Sequence, residues 1–387
     1  MKKKILTTAI LGLIAGSAHA QSSVTLYGLI DAGVSYINHV KDASGGSSKA
    51  FQYGDGVAQG SRWGLRGSED LGGGLKAIFV LENGFNSGTG AAGQGSSMFG
   101  RQAYVGLTQS NIGSLTFGRQ YSLSTDILGS LYSTGGNTVS GNWAYHVNDV
   151  DQLTSSRINN AVKFQSVNLS GFTFGGLYGF SNTTSFAGAP TSSSTSSSRA
   201  YSFGANYAYG PFSIGGAYTD ITYPASASTT TFSTTLANVN TAGSGTIRDL
   251  RSFGFGGRYV YGPATAWLLW TNTRFEPITG SSTLYNAYEA GVKYAFTPAL
   301  TGGVGYTYSR ASGLFNAHWN QVNGSVDYAL SKRTDVYGLV AFEEASGSYK
   351  GTPVQAQIGD SSSGIFNTSG SGSQEQLAVR VGIRHKF

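Results

Sequence analysis

Apolar side chains fall at every second position along most of this chain, and the positions between them repeatedly carry charge. In Val24-Thr-Leu-Tyr-Gly-Leu-Ile-Asp31, Val24, Leu26 and Ile30 share one face, while Thr25, Tyr27 and Asp31 share the other. Trp63 and Leu65 oppose Arg62 and Arg66; Leu75, Ala77, Phe79 and Leu81 oppose Lys76 and Glu82; Ile158, Val162 and Phe164 oppose Arg157 and Lys163. A period of two marks strands, and a charged face repeated on strand after strand means that one side of the sheet is wet. Further strands are predicted at 98–108, 114–119, 172–180, 201–209, 212–219, 251–261, 265–275, 285–296, 300–309, 319–330, 334–342 and 376–387, about 16 in all. Several have the roughly 9–11 residues that a tilted strand needs to cross a bilayer, and an even count is what a single-chain bacterial barrel requires. In the last strand Val379, Val381, Ile383 and Phe387 oppose Arg380, Gly382, Arg384 and Lys386. Pairing of that strand with the first would close the sheet and leave no open edge.

Composition narrows the class further. Charged residues are only 11% of the chain, against roughly 25% in ordinary soluble domains. The 57 glycines and 13% aromatics suit strands and turns rather than helix bundles or disorder. Lys2, Lys3 and Lys4, the apolar run from Ile5 to Ala15 and the small residues Ala18-His-Ala20 predict a cleaved secretion signal over 1–20. Its three lysines would leave with it, so 25 basic residues become 22 against 19 acidic ones, a charge of +3. That near-neutral balance argues against nucleic acid as a partner. Zero cysteines excludes a disulfide scaffold in an oxidising compartment. No linker divides 21–387, so one transmembrane barrel domain is expected.

The connections alternate in length. Short ones such as 69–74, 168–171 and 210–211 alternate with long Ser/Thr/Gly/Ala-rich ones at 181–198, 221–246 and 346–373, expected to be solvated flexible loops. Aromatics recur just before the short turns, in Tyr207-Ala-Tyr-Gly-Pro211, Tyr259-Val-Tyr-Gly-Pro263 and Tyr294-Ala-Phe-Thr-Pro298. Gly and Pro suit turns anywhere, but an aromatic girdle at a membrane interface has this pattern. The connection 120–157 differs from the others. Leu123, Ile127, Leu128, Leu131, Tyr132, Trp143, Tyr145 and Val147 give it apolar anchors, and Asp126, Asp149 and Asp151 are its acids. A long connection with such anchors is predicted to pack on something rather than to wave in solvent.

Chemistry of turnover finds no foothold. An enzyme needs a nucleophile oriented by a base, and His39, His146, His318 and His385 stand near no nucleophile motif. His146, inside the unusual connection, is expected to pack. No Cys/His spacing suits zinc, and Gly54-Asp-Gly56 lacks the helix that a phosphate-cradling loop requires. Neither cofactor nor metal is expected.

The motifs Val24-Thr-Leu-Tyr-Gly-Leu-Ile-Asp-Ala-Gly-Val34, Ser61-Arg-Trp-Gly-Leu-Arg-Gly-Ser-Glu-Asp-Leu-Gly-Gly-Gly-Leu75, Leu81-Glu-Asn-Gly-Phe85, Arg101-Gln-Ala-Tyr-Val-Gly-Leu107 and Gly118-Arg-Gln120 resemble the general diffusion porins of the beta-proteobacterial type. The resemblance implies an all-β fold, a 16-stranded antiparallel transmembrane β-barrel in the outer membrane with short periplasmic turns and long external loops. It implies a homotrimer, contact with outer-membrane lipid and lipopolysaccharide, and a third external loop, here 120–157, folded inward to constrict a pore for ions and small hydrophilic solutes. The terminal Phe387 resembles the signal read by the barrel-assembly machinery. By position, Arg62, Arg101 and Arg157 match the family's basic wall at the constriction, with Arg119 a weaker member and Asp126, Asp149 and Asp151 as acids opposite. Alternation turns Arg62 and Arg157 inward, but would turn Arg101 toward the face of Val105 and Leu107 unless a bulge intervenes. Asp31, Arg66, Lys76, Glu82 and Lys163 would line the lumen. A charge on the lipid face costs about 2–4 kcal/mol at the midplane, so simple solvation in the lumen is the plain alternative role for each of them. A substrate-specific channel, or a non-conducting surface receptor or adhesin, are the competing functions.

Overall fold

The computed structural model describes residues 23–42, 44, 46–180, 199–223, 247–277, 280–359 and 370–387. The segment expected to be the cleaved signal, the loop 181–198 and most of 221–246 lie outside them. Sixteen antiparallel staves form one closed sheet. The first eight are β1 (Ser23–Lys41), β2 (Ser47–Asp55 continued by Arg62–Gly72), β3 (Leu75–Gly84), β4 (Gln102–Gln109), β5 (Gly113–Tyr121), β6 (Arg157–Ser166), β7 (Phe172–Gly179) and β8 (Arg199–Tyr209). The rest are β9 (Phe212–Thr222), β10 (Ile247–Tyr261), β11 (Ala264–Pro277), β12 (Thr283–Ala295), β13 (Leu300–Gly313), β14 (Asn316–Ala329), β15 (Thr334–Tyr349) and β16 (Glu375–Lys386). The ring closes where β16 pairs with β1, from Leu29↔Lys386 to Ile37↔Ala378. Gly28 and Phe387 extend that seam by exchanging two backbone bonds of 3.1 and 3.0 Å.

Alternation puts the apolar positions outside. Val24, Val34, Phe203, Ile214, Phe255, Leu268, Val304 and Val381 are exposed, and in a bilayer they meet hydrocarbon. The aromatics before the short turns form a belt on the same surface: Tyr207, Tyr209, Tyr259, Tyr261, Tyr294, Phe296 and Tyr328 are all exposed. The intervening positions (Ser202, Thr219, Ser252, Thr271, Glu289, Gln321 and Arg380 among them) are buried polar groups. The protein is therefore apolar outside and polar within, the reverse of a soluble domain.

The stave β2 is interrupted. Its first half pairs with the outer half of β1 from Lys41↔Ser47 to Ala32↔Asp55, and its second from Leu29↔Arg62 to Ser23↔Ser68. Residues 56–61 leave the ladder between the halves, with Val57 and Ala58 buried and the Gly56 amide donating to the Asp31 carbonyl at 2.8 Å.

The segment 122–156 is built of short helical turns, at Ser124–Gly129, Thr134–Asn137, Gly141–Trp143 and Val147–Asp149. Its apolar anchors pack against the barrel wall. Leu123, Ile127, Leu128, Tyr132, Val150 and Leu153 cluster with the wall residues Ala200, Ala217, Leu250 and Leu269. Val139 and Trp143 join Ile37, Val57, Tyr337, Leu339 and Ala378. The bonds run to the same inner face: the Leu123 amide to Ser202 Oγ at 2.9 Å, Ser124 with Thr219 at 2.7 Å, Tyr132 with Ser213 at 2.7 Å and Gln321 Nε2 to the Trp143 carbonyl at 2.5 Å. The tip rests on the break in β2. Asn142 donates through its amide to the Val57 carbonyl at 2.7 Å and through Nδ2 to the Gly56 carbonyl at 2.9 Å.

Two expectations fail here for identifiable reasons. Ile158 was placed on the face opposite Lys163, yet it is 2% exposed and packs in the cluster under the loop. The pairing of β5 with β6 slips between Gly118↔Ala161 and Gln120↔Ile158, with Asn160 at φ +51°; this bulge reverses the alternation. The connection 346–373 is not wholly a solvated loop. Val354, Ala356 and Ile358 are 0% exposed, held by the Gln357 amide on Glu343, the Ile358 amide on Gln376 Oε1 and Trp319 Nε1 on the Gln355 carbonyl.

Candidate functional site: the arginine wall and the loop facing it

Register places the wall arginines at one height. Arg62 lies opposite Gly84, Glu82 opposite Gln102, Ala103 opposite Arg119 and Tyr121 opposite Arg157, so the row follows directly from strand pairing. Glu82 holds it together. Its carboxylate accepts from Arg101 Nε at 2.7 Å and from the Tyr27 hydroxyl at 3.0 Å, with Arg62 Nη1 4.0 Å away. The ring of Tyr121 carries two guanidinium groups, Arg157 at 5.0 Å and Arg101 at 5.9 Å from its centroid. Such stacking is worth about 0.5–2 kcal/mol each and leaves the charge uncancelled. Arg62 Nε donates to the Gly60 carbonyl at 2.8 Å, so the break in β2 also orients the row.

Arg62, Arg101, Arg157 and Arg384 line a cavity of about 690 Å³, which the loop residues Thr125, Asp126, Ser130, Thr138 and Asn142 border. Arg101 reaches it although alternation pointed it outward, because it stands one residue before β4 and is free of the pleat. Arg119 does not reach it: its Nε bonds the Gly100 carbonyl at 2.8 Å and its Nη1 bonds Asn159. Of the three loop acids only Asp126 borders the cavity, and it is paired with Lys163, whose Nζ also donates to the Tyr121 carbonyl at 3.0 Å.

Asp149 and Asp151 must be reassigned. Both are buried, and neither lines the cavity. Asp149 accepts from the Thr154 amide at 3.2 Å, within the loop itself. Asp151 accepts from Thr271 Oγ1 at 2.6 Å and pairs with His146 Nδ1, on the side of the loop away from the arginines. A segment without periodicity gives no rule for which side a carboxylate takes, so the sequence could supply their charge but not their direction.

His146 packs, as expected, but as half of an ionic latch. Its Nε2 meets Glu289 Oε2 at 2.9 Å, while Glu289 Oε1 accepts from Trp267 Nε1 at 3.0 Å, from Thr134 Oγ1 at 2.6 Å and from the Thr134 amide. Burial alone would lower the imidazole's affinity for a proton; the carboxylates of Asp151 and Glu289 override it and lift the pKa to about 10. Glu289 was missed because Tyr288-Glu-Ala290 reads as one more inward polar position, and its partner lies 143 residues away in the chain.

The remaining lumen positions divide. Asp31 is fully buried and pairs with Arg380 Nη2 at 3.6 Å, not with the wall row; Arg380 also bonds Tyr337, Ser35 and the Gly54 carbonyl. Arg66 is exposed, with its guanidinium 5.3 Å from the Tyr27 ring, and Lys76 is exposed near the turn at Gly73. Phe387 seals the seam, and a Cβ on Gly28 would stand 2.4 Å from its ring. Among the described residues no group of three or more His, Asp or Glu could hold a metal ion.

Residues 7–348 match the family described as Gram-negative porin. An outer membrane porin of Bordetella pertussis is 31% identical over the full length of both chains, and outer membrane porin protein 32 of Delftia acidovorans is 32% identical, also over both full lengths. The solved anion-selective porin from Comamonas acidovorans superposes with a TM-score of 0.70 at 27% identity, covering 95% of this chain and all of that one. A trimer form of OmpT from Vibrio cholerae shares the fold at TM-score 0.64 and 16% identity, over 95% of this chain and 99% of that one.

Proposed function

The chain belongs to the Gram-negative porin family of the outer membrane, and from that premise we propose that it is a passive, anion-preferring pore for ions and small hydrophilic solutes. One observation carries the preference: the cavity is lined by Arg62, Arg101, Arg157 and Arg384, against Asp55 and Asp126 as its acids. Asp126 is neutralised by Lys163, and Asp55 accepts bonds from Ser61 at 2.8 Å and the Ser87 amide at 2.9 Å. Arg101 is paired with Glu82 and Arg384 with Asp335, but among the described residues Arg157 meets no carboxylate within ion-pair distance and Arg62 comes only to 4.0 Å from Glu82, so these two carry the uncompensated positive charge. Like charges along a narrow pore concentrate counter-ions and exclude co-ions. The related Comamonas porin is described as anion-selective, in line with this reading. Loop 120–157 is the constriction element, Phe387 the assembly signal, and a homotrimer the working form; the trimeric neighbour supports the last.

Reversal potential across a planar bilayer under a salt gradient tests the selectivity. Wild type should report anion preference, and Arg62→Glu with Arg157→Glu should move the potential toward the cation side. Unchanged selectivity in that variant would remove these arginines from the filter. No conductance from purified wild-type protein would refute the pore itself.

A further inference from the structure

The break in β2, residues 56–61, touches both sides of the passage. On the wall side, the Gly60 carbonyl accepts from Arg62 Nε at 2.8 Å, and Gln59 Oε1 accepts from Arg384 Nη1 at 3.3 Å. Gly60 lies against the arginine row itself, since a Cβ on it would meet Arg101 Nη1 at 3.3 Å and Arg62 Nη2 at 3.9 Å. On the loop side, the carbonyls of Gly56 and Val57 hold Asn142. Two of the four arginines that line the cavity, and the tip of segment 122–156 as well, therefore depend on a short stretch that belongs to no strand ladder.

Asp31 holds that stretch in one shape. On its β2 side, β1 has no ladder partner at Ile30 and Asp31, and Asp31 bonds the break instead. Its carbonyl accepts from the Gly56 amide at 2.8 Å, its amide donates to Ser61 Oγ at 3.0 Å, and its carboxylate Oδ2 accepts from the Gln59 amide at 2.8 Å. A carboxylate that accepts from a backbone amide makes one of the stronger hydrogen bonds in a protein. The carboxylate is fixed from behind as well: Oδ1 accepts from the Tyr337 hydroxyl at 2.5 Å, and Arg380 Nη2 lies 3.6 Å away. Asp31 is 0% exposed and lines no part of the cavity, so a passing ion never meets it.

We propose that Asp31 is a positioning residue for ion selectivity: acting through residues 56–61, it keeps the Arg62 guanidinium turned to the passage and away from Glu82. The inference rests on the anion-preferring reading given above. Release has a definite consequence for Arg62. Its Nη1 stands 4.0 Å from Glu82 while its Nε is tied to the Gly60 carbonyl. Untied, the guanidinium closes on Glu82, which already takes Arg101, and one of the two uncompensated charges of the passage is lost. Charge counting alone gives the opposite sign. Deleting an acid beside the lumen and freeing the charge of Arg380 would raise the attraction for anions.

The test compares the reversal potential of Asp31→Ala with that of wild type, full-length protein in a planar bilayer under a salt gradient. Anion preference should fall, although an acid has been removed. Ser61→Ala takes away the acceptor of the Asp31 amide without altering any charge, and should move the potential the same way. If Asp31→Ala does not assemble, Ser61→Ala decides alone. Glu343→Gln, at a buried acid that accepts from the Gln357 amide and not from the break, should leave the potential where wild type has it. Hydrogen exchange at the Gln59 and Asn142 amides, which bond Asp31 and Val57, should quicken roughly ten- to a hundredfold in Asp31→Ala, with the β14 amides unchanged. A rise in anion preference, an unmoved potential, an equal shift in Glu343→Gln, or unchanged exchange at Gln59 would each overturn the assignment. A wild-type channel without anion preference would refute the reading beneath it, while exchange at Gln59 and Asn142 would still decide whether Asp31 holds the break.

Discussion

Replacing Glu289 by Gln should free the middle of segment 122–156 while leaving its ends attached. The substitution keeps the shape of the side chain and an acceptor for Trp267 Nε1 and Thr134, but it turns an NH2 group toward His146 Nε2, so two donors face each other where an ion pair stood. Both partners are 0% exposed, so nothing screens the loss. Breaking one side of a buried charged pair costs about 3–5 kcal/mol. The other attachments, Leu123 to Ser202, Ser124 to Thr219 and Asn142 to Val57, are untouched, so the cost falls on local opening and not on the barrel. Converted at 1.4 kcal/mol per decade, amide exchange at Asn137, Thr138 and Asp149, whose N–H groups bond within the loop, should quicken by about a hundred- to a few thousand-fold. Strand amides such as those of β14 should exchange as before. Single-channel records should show added current noise from the moving segment. If protection of those three amides were unchanged while melting of the whole barrel dropped, the latch would be part of the wall's stability and the reasoning about the loop would be wrong.

The same latch has a pH signature: its imidazole is raised to about 10 in the folded state, so the stability it contributes is full below about pH 6.5 and is lost as pH climbs to 10. Loop amide exchange should therefore accelerate over that alkaline range beyond its ordinary pH dependence, and His146→Gln should abolish the excess. Gly141 sits at φ +52° with a would-be Cβ 2.2 Å from the Val57 carbonyl, so Gly141→Val should unseat the loop tip from the break in β2. Larger neutral sugars should then pass the pore in liposome-swelling measurements; unchanged size exclusion would show that the tip does not set the limit.

The staves were legible because a bilayer outside and water inside impose alternation on every one of them. The count came out at sixteen although Ser47–Asp55 was not recognised, since that piece continues the stave that Arg62 begins. Its signal was present: Lys49, Phe51 and Tyr53 alternate, with Phe51 and Tyr53 exposed. Arg62 and Arg157 were assigned to the wall from alternation and resemblance, Arg101 from resemblance alone, and all three line the cavity. Alternation fails where the ladder slips, as at Ile158, and it has no bearing inside 122–156, where Asp149 and Asp151 turned away from the cavity and Asp126 did not. Arg380 and Arg384 were read as inward-facing, but their partners, Asp31 on the first stave and Asp335 on the one before the last, lie on other staves, so no pattern within the last stave could announce them.

The attachments of segment 122–156 reach from Val57, in the break of the second stave, to Gln321 on the fourteenth. None of its berths beyond Thr219 exists until the later part of the chain has been laid down, because Glu289, Trp267 and Gln321 all follow it by more than a hundred residues. The segment can therefore settle into its final place only once the staves that carry these partners have formed.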